Sequence, residues 1–272
     1  MTLAQVQLIY DENEHVSKGS MNAPQSDFWN VDCLILTTDK RLAGNKEVLG
    51  ATCHYFVSQP FSLQQWNLVS TEQKKQLMLS ERSYKMWDLS NNNSVNIFWN
   101  HMQMWKIASA RLRPLLILED DASMSVNAGL YIKEFMSTMT KQSDLFVLKL
   151  YSHENRFSVQ HPQLKCLCSN FPMLGTVAYI ITPKAASILL QNCTISTHVD
   201  IFLWQEACVR QKLALMGSPS NLFTEKPVTE LQIERKAHRT MGELWWLKNI
   251  LNTLYEQSLR HGNSTPYCPL TV

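Results

Sequence analysis

The chain has 272 residues, 45% apolar and 18% charged, which is enough to fill at least one sizeable core and excludes wholesale disorder. Its 25 basic and 23 acidic side chains leave a formal charge of +2, so no global field draws it onto nucleic acid and no nucleic-acid partner is expected. No run of about 18 apolar residues occurs, and the opening Met-Thr-Leu-Ala-Gln-Val-Gln-Leu lacks a basic stretch followed by a long apolar one, so a soluble, cytoplasmic chain without a secretory signal is expected.

Residues 1 to about 27 offer at most an edge strand, Val6 to Tyr10, and a polar loop. Val31–Leu36 is the first convincing buried strand, and the turn residues after it, Thr37 and Thr38 among them, lie where an α/β fold commonly meets a nucleotide. A plain strand-to-helix turn gives the same pattern. Ala51–Val57 is a second short strand, and Leu63 to about Leu89 suggests helical pieces joined by turns. From Val95 to Ile107 the apolar residues recur mainly three and four apart, an amphipathic helix on which His101 and Trp105 share a face.

Leu115–Met124 is the most informative stretch. Four aliphatic residues suit a strand buried on both faces, and Glu119, Asp120 and Asp121 follow where such a strand leaves the sheet. Open α/β sheets bind ligands at those carboxyl ends. Three adjacent carboxylates repel one another unless a cation or proton relieves them. A solvated acidic turn is the alternative.

Ala128–Met139 has a helical pattern, and Asp144–Leu150 is a strand. The loop after it carries His153 and Arg156, either solvated or facing the same cleft as the carboxylates, where an arginine pairs readily with a pyrophosphate. Gly175 and Thr176 precede a strand, Val177–Ile181, after which Thr182 caps a helix with Pro183 in its first position. Asp200 interrupts an apolar run and reads equally as a catalytic carboxylate or as the N-cap of a helix Ile201–Val209. Leu213–Met216 is a short strand. A final helix, about Met241 to Arg260, with Trp245 and Trp246 and basic residues nearby, either packs on its own domain or touches an anionic membrane surface. The seven cysteines, an odd number in apolar surroundings, suit a reducing compartment, and Cys166 and Cys168 lack zinc-ligand spacing.

The order of these patterns resembles glycosyltransferase family 25, which includes lipooligosaccharide and collagen galactosyltransferases. The residues that carry the resemblance are His101 with Trp105, Leu115–Asp121, Asp144–Leu150, Gly175–Leu190 and Val199-Asp200, within roughly residues 30 to 205. The resemblance implies a GT-A-like, Rossmann-like α/β domain with a mixed, mostly parallel sheet flanked by helices. The expected organisation is one domain over 1–272, with the α/β core at 28–235 and a C-terminal helical extension at 236–272. The implied reaction is an inverting, Mn2+- or Mg2+-assisted transfer of a sugar, galactose first among candidates, from a UDP-sugar to a hydroxyl of a glycan or glycoconjugate. Glu119 and Asp121, two apart, become the metal and diphosphate candidates, and Asp200 the candidate base. The donor set is drawn from Thr37, Thr38, His101, Asp120, Lys149, Arg156, Gly175 and Thr176. The final helix leaves open a peripheral contact at the inner membrane face. Two other classes fit less of the pattern: a magnesium-dependent phosphoryl-transfer or receiver-like domain, and a non-catalytic module on a glycosyltransferase scaffold.

Overall fold

The computed structural model describes residues 31–42, 44–48, 51–58, 92–139, 144–153, 158–161, 164–169, 173–191, 193, 195, 197–210 and 212–225. The edge strand expected at Val6–Tyr10, the helical pieces between Leu63 and Leu89, Arg156 and the final helix lie outside these residues.

The strands are β1 (Asp32–Thr37), β2 (Asn45–Val48), β3 (Ala51–Val57), β4 (Leu115–Glu119), β5 (Ala122–Met124), β6 (Phe146–Lys149), β7 (Ser158–Gln160), β8 (Leu167–Ser169), β9 (Ala178–Ile181), β10 (Ala214–Gly217) and β11 (Phe223–Glu225). The helices are α1 (Asn92–Ser109), α2 (Ala128–Met139), α3 (Pro183–Gln191) and α4 (Val199–Trp204), which continues as a π-helical turn over Gln205–Val209. Nine strands form one sheet in the order β2-β3-β1-β4-β9-β6-β10-β8-β7, and β5 pairs with β11 in a small second sheet. The mixed α/β sheet is present, with β1, β3, β4, β6, β7 and β10 running one way and β2, β8 and β9 the other. The parallel pairs are β1 with β3, β1 with β4 and β6 with β10, and the remaining pairs are antiparallel, so the sheet is less parallel than expected.

Strand alternation sorts the core into two layers. In β4, Leu115 and Ile117 join Leu34, Val147, Tyr179 and Leu215 on the face covered by α1, α3 and α4. Leu116 and Leu118 join Ile35, Leu148, Ile180 and Met216 on the opposite face, covered by α2 through Ile132, Phe135 and Met136. The continuous aliphatic run of β4 follows directly from burial on both faces. On α1, Phe98 and Trp105 meet edge to face, and both rings also contact Phe202 of α4.

Local capping agrees with the sequence at α3 and differs at α4. Thr182 accepts the Ala185 amide at 3.3 Å through Oγ1, and Pro183 supplies a preset φ at the first helical position. At α4 the N-cap position is His198, two residues upstream of Asp200 and without a side-chain cap hydrogen bond, and Asp200 sits inside the first turn. A carboxylate there still favours the helix, because it faces the positive end of the backbone dipole.

The expectation that every cysteine is a reduced thiol is overturned. Cys33 and Cys53 are register partners on adjacent parallel strands, with Cα atoms 4.5 Å apart, and are joined by a disulfide. Cys168 is disulfide-bonded as well, whereas Cys166 and Cys193 are free. Spacing alone gave no hint of the first pair, because the register of β1 on β3 is what brings the two side chains together.

Ile117 is fully buried at the middle of β4, an interior strand of the sheet. Ile117→Ala is expected to lower the unfolding free energy by about 2–5 kcal/mol through lost transfer energy and a residual cavity, with an unchanged denaturant slope in urea titration.

Candidate functional site

The carboxyl ends of β1, β4 and β6 lie on one edge of the sheet. Because β9 is reversed, the segment that leads into it enters at the same edge. Register fixes this: Leu36 lies opposite Glu119, Leu118 opposite Ala178, and Lys149 opposite Tyr179. Residues far apart in sequence, from Thr37 to Thr176, are thereby gathered in one place.

Glu119 continues the alternation of Leu115 and Ile117, which directs it toward the α1 face. Its Oε1 accepts the Thr176 hydroxyl at 2.7 Å and lies 3.7 Å from His101 Nε2, a close polar contact too long for a good hydrogen bond. Behind it runs a buried polar chain: Trp105 Nε1 donates to the Tyr179 hydroxyl at 2.9 Å, and that oxygen lies 2.8 Å from His101 Nδ1. An indole N–H can only donate, so the Tyr179 oxygen accepts it and passes its own hydrogen to Nδ1. This assigns the His101 proton to Nε2, on the side of Glu119. Burial works to raise the Glu119 carboxyl, but the His101 ring, the Thr176 hydroxyl and the Lys149 charge outweigh it and hold the group below the ordinary carboxylate range.

The strand stops at Glu119, and Asp120 and Asp121 form a turn before β5. The simple alternation that pairs Glu119 with Asp121 on one side therefore does not carry through. Asp120 is exposed, and its Oδ2 accepts the Thr37 hydroxyl at 2.6 Å, tying the end of β4 to the end of β1. Asp121 is partly buried, and its Oδ1 has no hydrogen-bond partner among the described residues. Burial, then the charges of Glu119, Glu225 and Asp120, push its pKa from 3.8 up to about 6. Glu225 reaches this field because Glu225 of β11 is the register partner of Ala122 of β5. Sequence reasoning missed Glu225, which lies more than a hundred residues downstream in a loop-like stretch. Tyr151 borders the same field: burial, followed by Glu225, Asp121 and Glu119, raises its hydroxyl, which lies 2.9 Å from His153 Nδ1.

Lys149 is completely buried, and burial pulls its ammonium down to about 8 against the raising effect of Asp200 and Glu119. Its Nζ donates to the Gly175 carbonyl. The Gly175 amide donates to Asp200 Oδ2 at 2.8 Å, and Asp200 Oδ1 accepts the Ile201 amide at 2.9 Å. Gly175 has φ +97°, and a Cβ there would come 2.9 Å from the Tyr151 ring. Only glycine meets both demands without strain.

Several of the expected donor residues are engaged within the chain itself. His101 is buried inside the core and acts on Glu119, out of reach of a ligand at the edge. Lys149 is likewise sealed in and spends its charge on a backbone carbonyl. Thr37 is buried and holds Asp120, whereas Thr38 is exposed beside it. Asp200 holds the Gly175 amide and Thr176 holds Glu119, which opens the turn of Asp120 and Asp121; Arg156 lies outside the described residues.

Residues 71–203 match the family model of glycosyltransferase family 25, described as an LPS biosynthesis protein. Over that segment the chain is similar to glycosyltransferase family 25. Comparison with curated proteins gives no match. The matched segment contains α1, β4, the acidic turn, β6, the Gly175 turn and the start of α4, so the family signal and the polar cluster coincide. The match supports a glycosyltransferase, a class that implies a sugar donor and a glycan acceptor. Among its described residues no helix is long and apolar enough to cross a membrane.

The raised carboxyl of Asp121 has a measurable consequence. The folded protein keeps this proton to higher pH than the unfolded chain, so the native state binds more protons between about pH 4 and 6 and loses stability as pH rises through that window. Solvent screening at a half-exposed side chain reduces the penalty to about 1 kcal/mol. Asp121→Asn is expected to stabilise the protein by about that amount at pH 8 and not at pH 3, measured by urea unfolding at both values.

Proposed function

We propose that the protein transfers a hexose, with galactose the first candidate, from a UDP-sugar to a hydroxyl of a glycan or glycoconjugate, with inversion at the sugar carbon and with help from Mn2+ or Mg2+. The observation that carries this reading is the unpartnered, partly buried Asp121 Oδ1 within the field of three other carboxylates. Such an oxygen is poorly served by water or protein and well served by a hard cation.

Among the described residues no three His, Cys, Asp or Glu side chains form a closed ligand set. That suits a cation which is completed by substrate. Magnesium-like ions are commonly bound through one or two carboxylates plus phosphate oxygens and water. Asp121, with Asp120 at the exposed turn beside it, would hold the ion. Glu119 is engaged by Thr176 and faces His101, so it supports the site from behind. When bound, the cation stabilises the negative charge that develops on the departing nucleoside diphosphate.

In the transfer, the bond between the sugar carbon and the diphosphate oxygen breaks as the acceptor oxygen bonds to the opposite face of that carbon. The bonding electrons leave with the nucleoside diphosphate, and the acceptor's proton goes to a base in the cleft. The chain's own residues set the place for this chemistry: Thr37 fixes Asp120, Thr176 fixes Glu119, and the reversed β9 holds both strand ends at one edge.

A thermal-shift panel of UDP-sugars with Mn2+ or Mg2+ tests the reading. One sugar nucleotide at a hundredfold excess over its Kd is expected to raise the melting temperature by about 5–10 °C in the presence of the cation, with little effect in chelator. The Asp121→Asn variant is expected to lose the cation-dependent part. Absence of stabilisation by every UDP-sugar with cation would overturn the assignment.

A further inference from the structure

Asp200 and Lys149 are two charged groups near the acidic turn that do not belong to it, and both hold the backbone of Gly175. The Gly175 amide is held by Asp200 Oδ2 at 2.8 Å and the Gly175 carbonyl by Lys149 Nζ. The peptide on either side of Gly175 is therefore pinned by an ion of opposite sign to the dipole end it meets, the stronger kind of hydrogen bond. One residue upstream, the Leu174 carbonyl accepts the His153 amide at 3.0 Å, and the Tyr151 ring fills the space where a Gly175 side chain would stand.

The next two residues are the ones that hold Glu119. Thr176 supplies the hydroxyl to Oε1 at 2.7 Å, and the Val177 carbonyl accepts the Glu119 amide at 2.9 Å. A chain of contacts thus runs from Asp200 and Lys149, through the Gly175 turn, to the carboxylate that opens the acidic turn.

We propose that Asp200 and Lys149 are positioning residues, which clamp the Gly175 turn by its amide and its carbonyl so that Thr176 and Val177 fix Glu119 at the donor-binding edge, and that Asp200 fills this role in place of the catalytic base. The inference rests on the glycosyl-transfer reading for its kinetic consequence, but the clamp itself is independent of it. Asp200→Asn separates the two roles: an asparagine carbonyl still accepts the Gly175 amide, whereas it is no longer a base.

The test uses the full chain with Asp200→Asn, Asp200→Ala and Lys149→Met. Two quantities are read: hydrogen exchange of the segment 174–177, and kcat with the KM for the sugar nucleotide. Asp200→Asn is expected to keep the segment protected and to hold kcat within about tenfold of the parent, since loss of a general base typically costs about 10²–10⁴-fold. Asp200→Ala and Lys149→Met are expected to speed exchange at the segment and raise the KM about tenfold or more, with the asparagine variant serving as the rescue. If Asp200→Ala does not fold, Asp200→Asn and Lys149→Met carry the same comparison. A fall in kcat of a hundredfold or more in Asp200→Asn with protection intact would make Asp200 the base and overturn the proposal. Unchanged exchange in both Asp200→Ala and Lys149→Met would show that no clamp exists. If the parent turns over no sugar nucleotide at all, the glycosyl-transfer reading fails, and exchange alone still decides the clamp.

Discussion

A charged carboxylate held against an apolar layer is the constraint on which the rest of this edge depends. Glu119 ends a strand whose other four residues are buried, and removing such a charge from water is unfavourable without compensation. Compensation comes as one line of donors. Trp105 gives its hydrogen to Tyr179, Tyr179 to His101, and the remaining His101 hydrogen faces Glu119, with Thr176 closing the other side. Every member of the line is fixed by packing, because Trp105 and Tyr179 are fully buried. The line converts the identity of residues on α1 and β9 into the charge state of a residue on β4.

Placing that carboxylate usefully requires the sheet. Antiparallel β9 sits between β4 and β6, so the turn that enters β9 stands beside the ends of strands that run the other way. Thr37 from β1 reaches Asp120, and the β5–β11 pair brings Glu225 toward Asp121 from the far side. The three neighbouring acids therefore live in different conditions. Glu119 is held charged by partners, Asp120 is exposed and accepts the Thr37 hydroxyl, and Asp121 is left with an oxygen that no group among the described residues satisfies. Carboxylates whose environments push their pKa values apart cluster at functional sites.

The sequence was most legible where one strand or helix carries the whole signal. The aliphatic run of Leu115–Leu118, the Thr182-Pro183 helix start and the His101/Trp105 face could each be read locally because period and capping chemistry are local properties. It was least legible where a partner is chosen by register. The Cys33–Cys53 disulfide, the Lys149–Gly175 contact and the approach of Glu225 all depend on which strand lies beside which, and no spacing along the chain encodes that. His101 and Lys149 show the same limit in another form. Their chemistry suggested ligand contacts, but full burial turns both inward, to support groups that meet the edge.

The dependence of the edge on the buried donor line is tested most directly by Tyr179→Phe, which removes one oxygen and leaves the shape of the core nearly unchanged. Trp105 Nε1 and His101 Nδ1 would both lose their partner in a place that water does not reach. Equilibrium unfolding in urea at neutral pH is expected to show a loss of about 2 kcal/mol, the order of leaving buried polar groups unpaired. An unfolding free energy equal to that of the parent would contradict the dependence, and with it the assignment of the His101 proton to the side of Glu119.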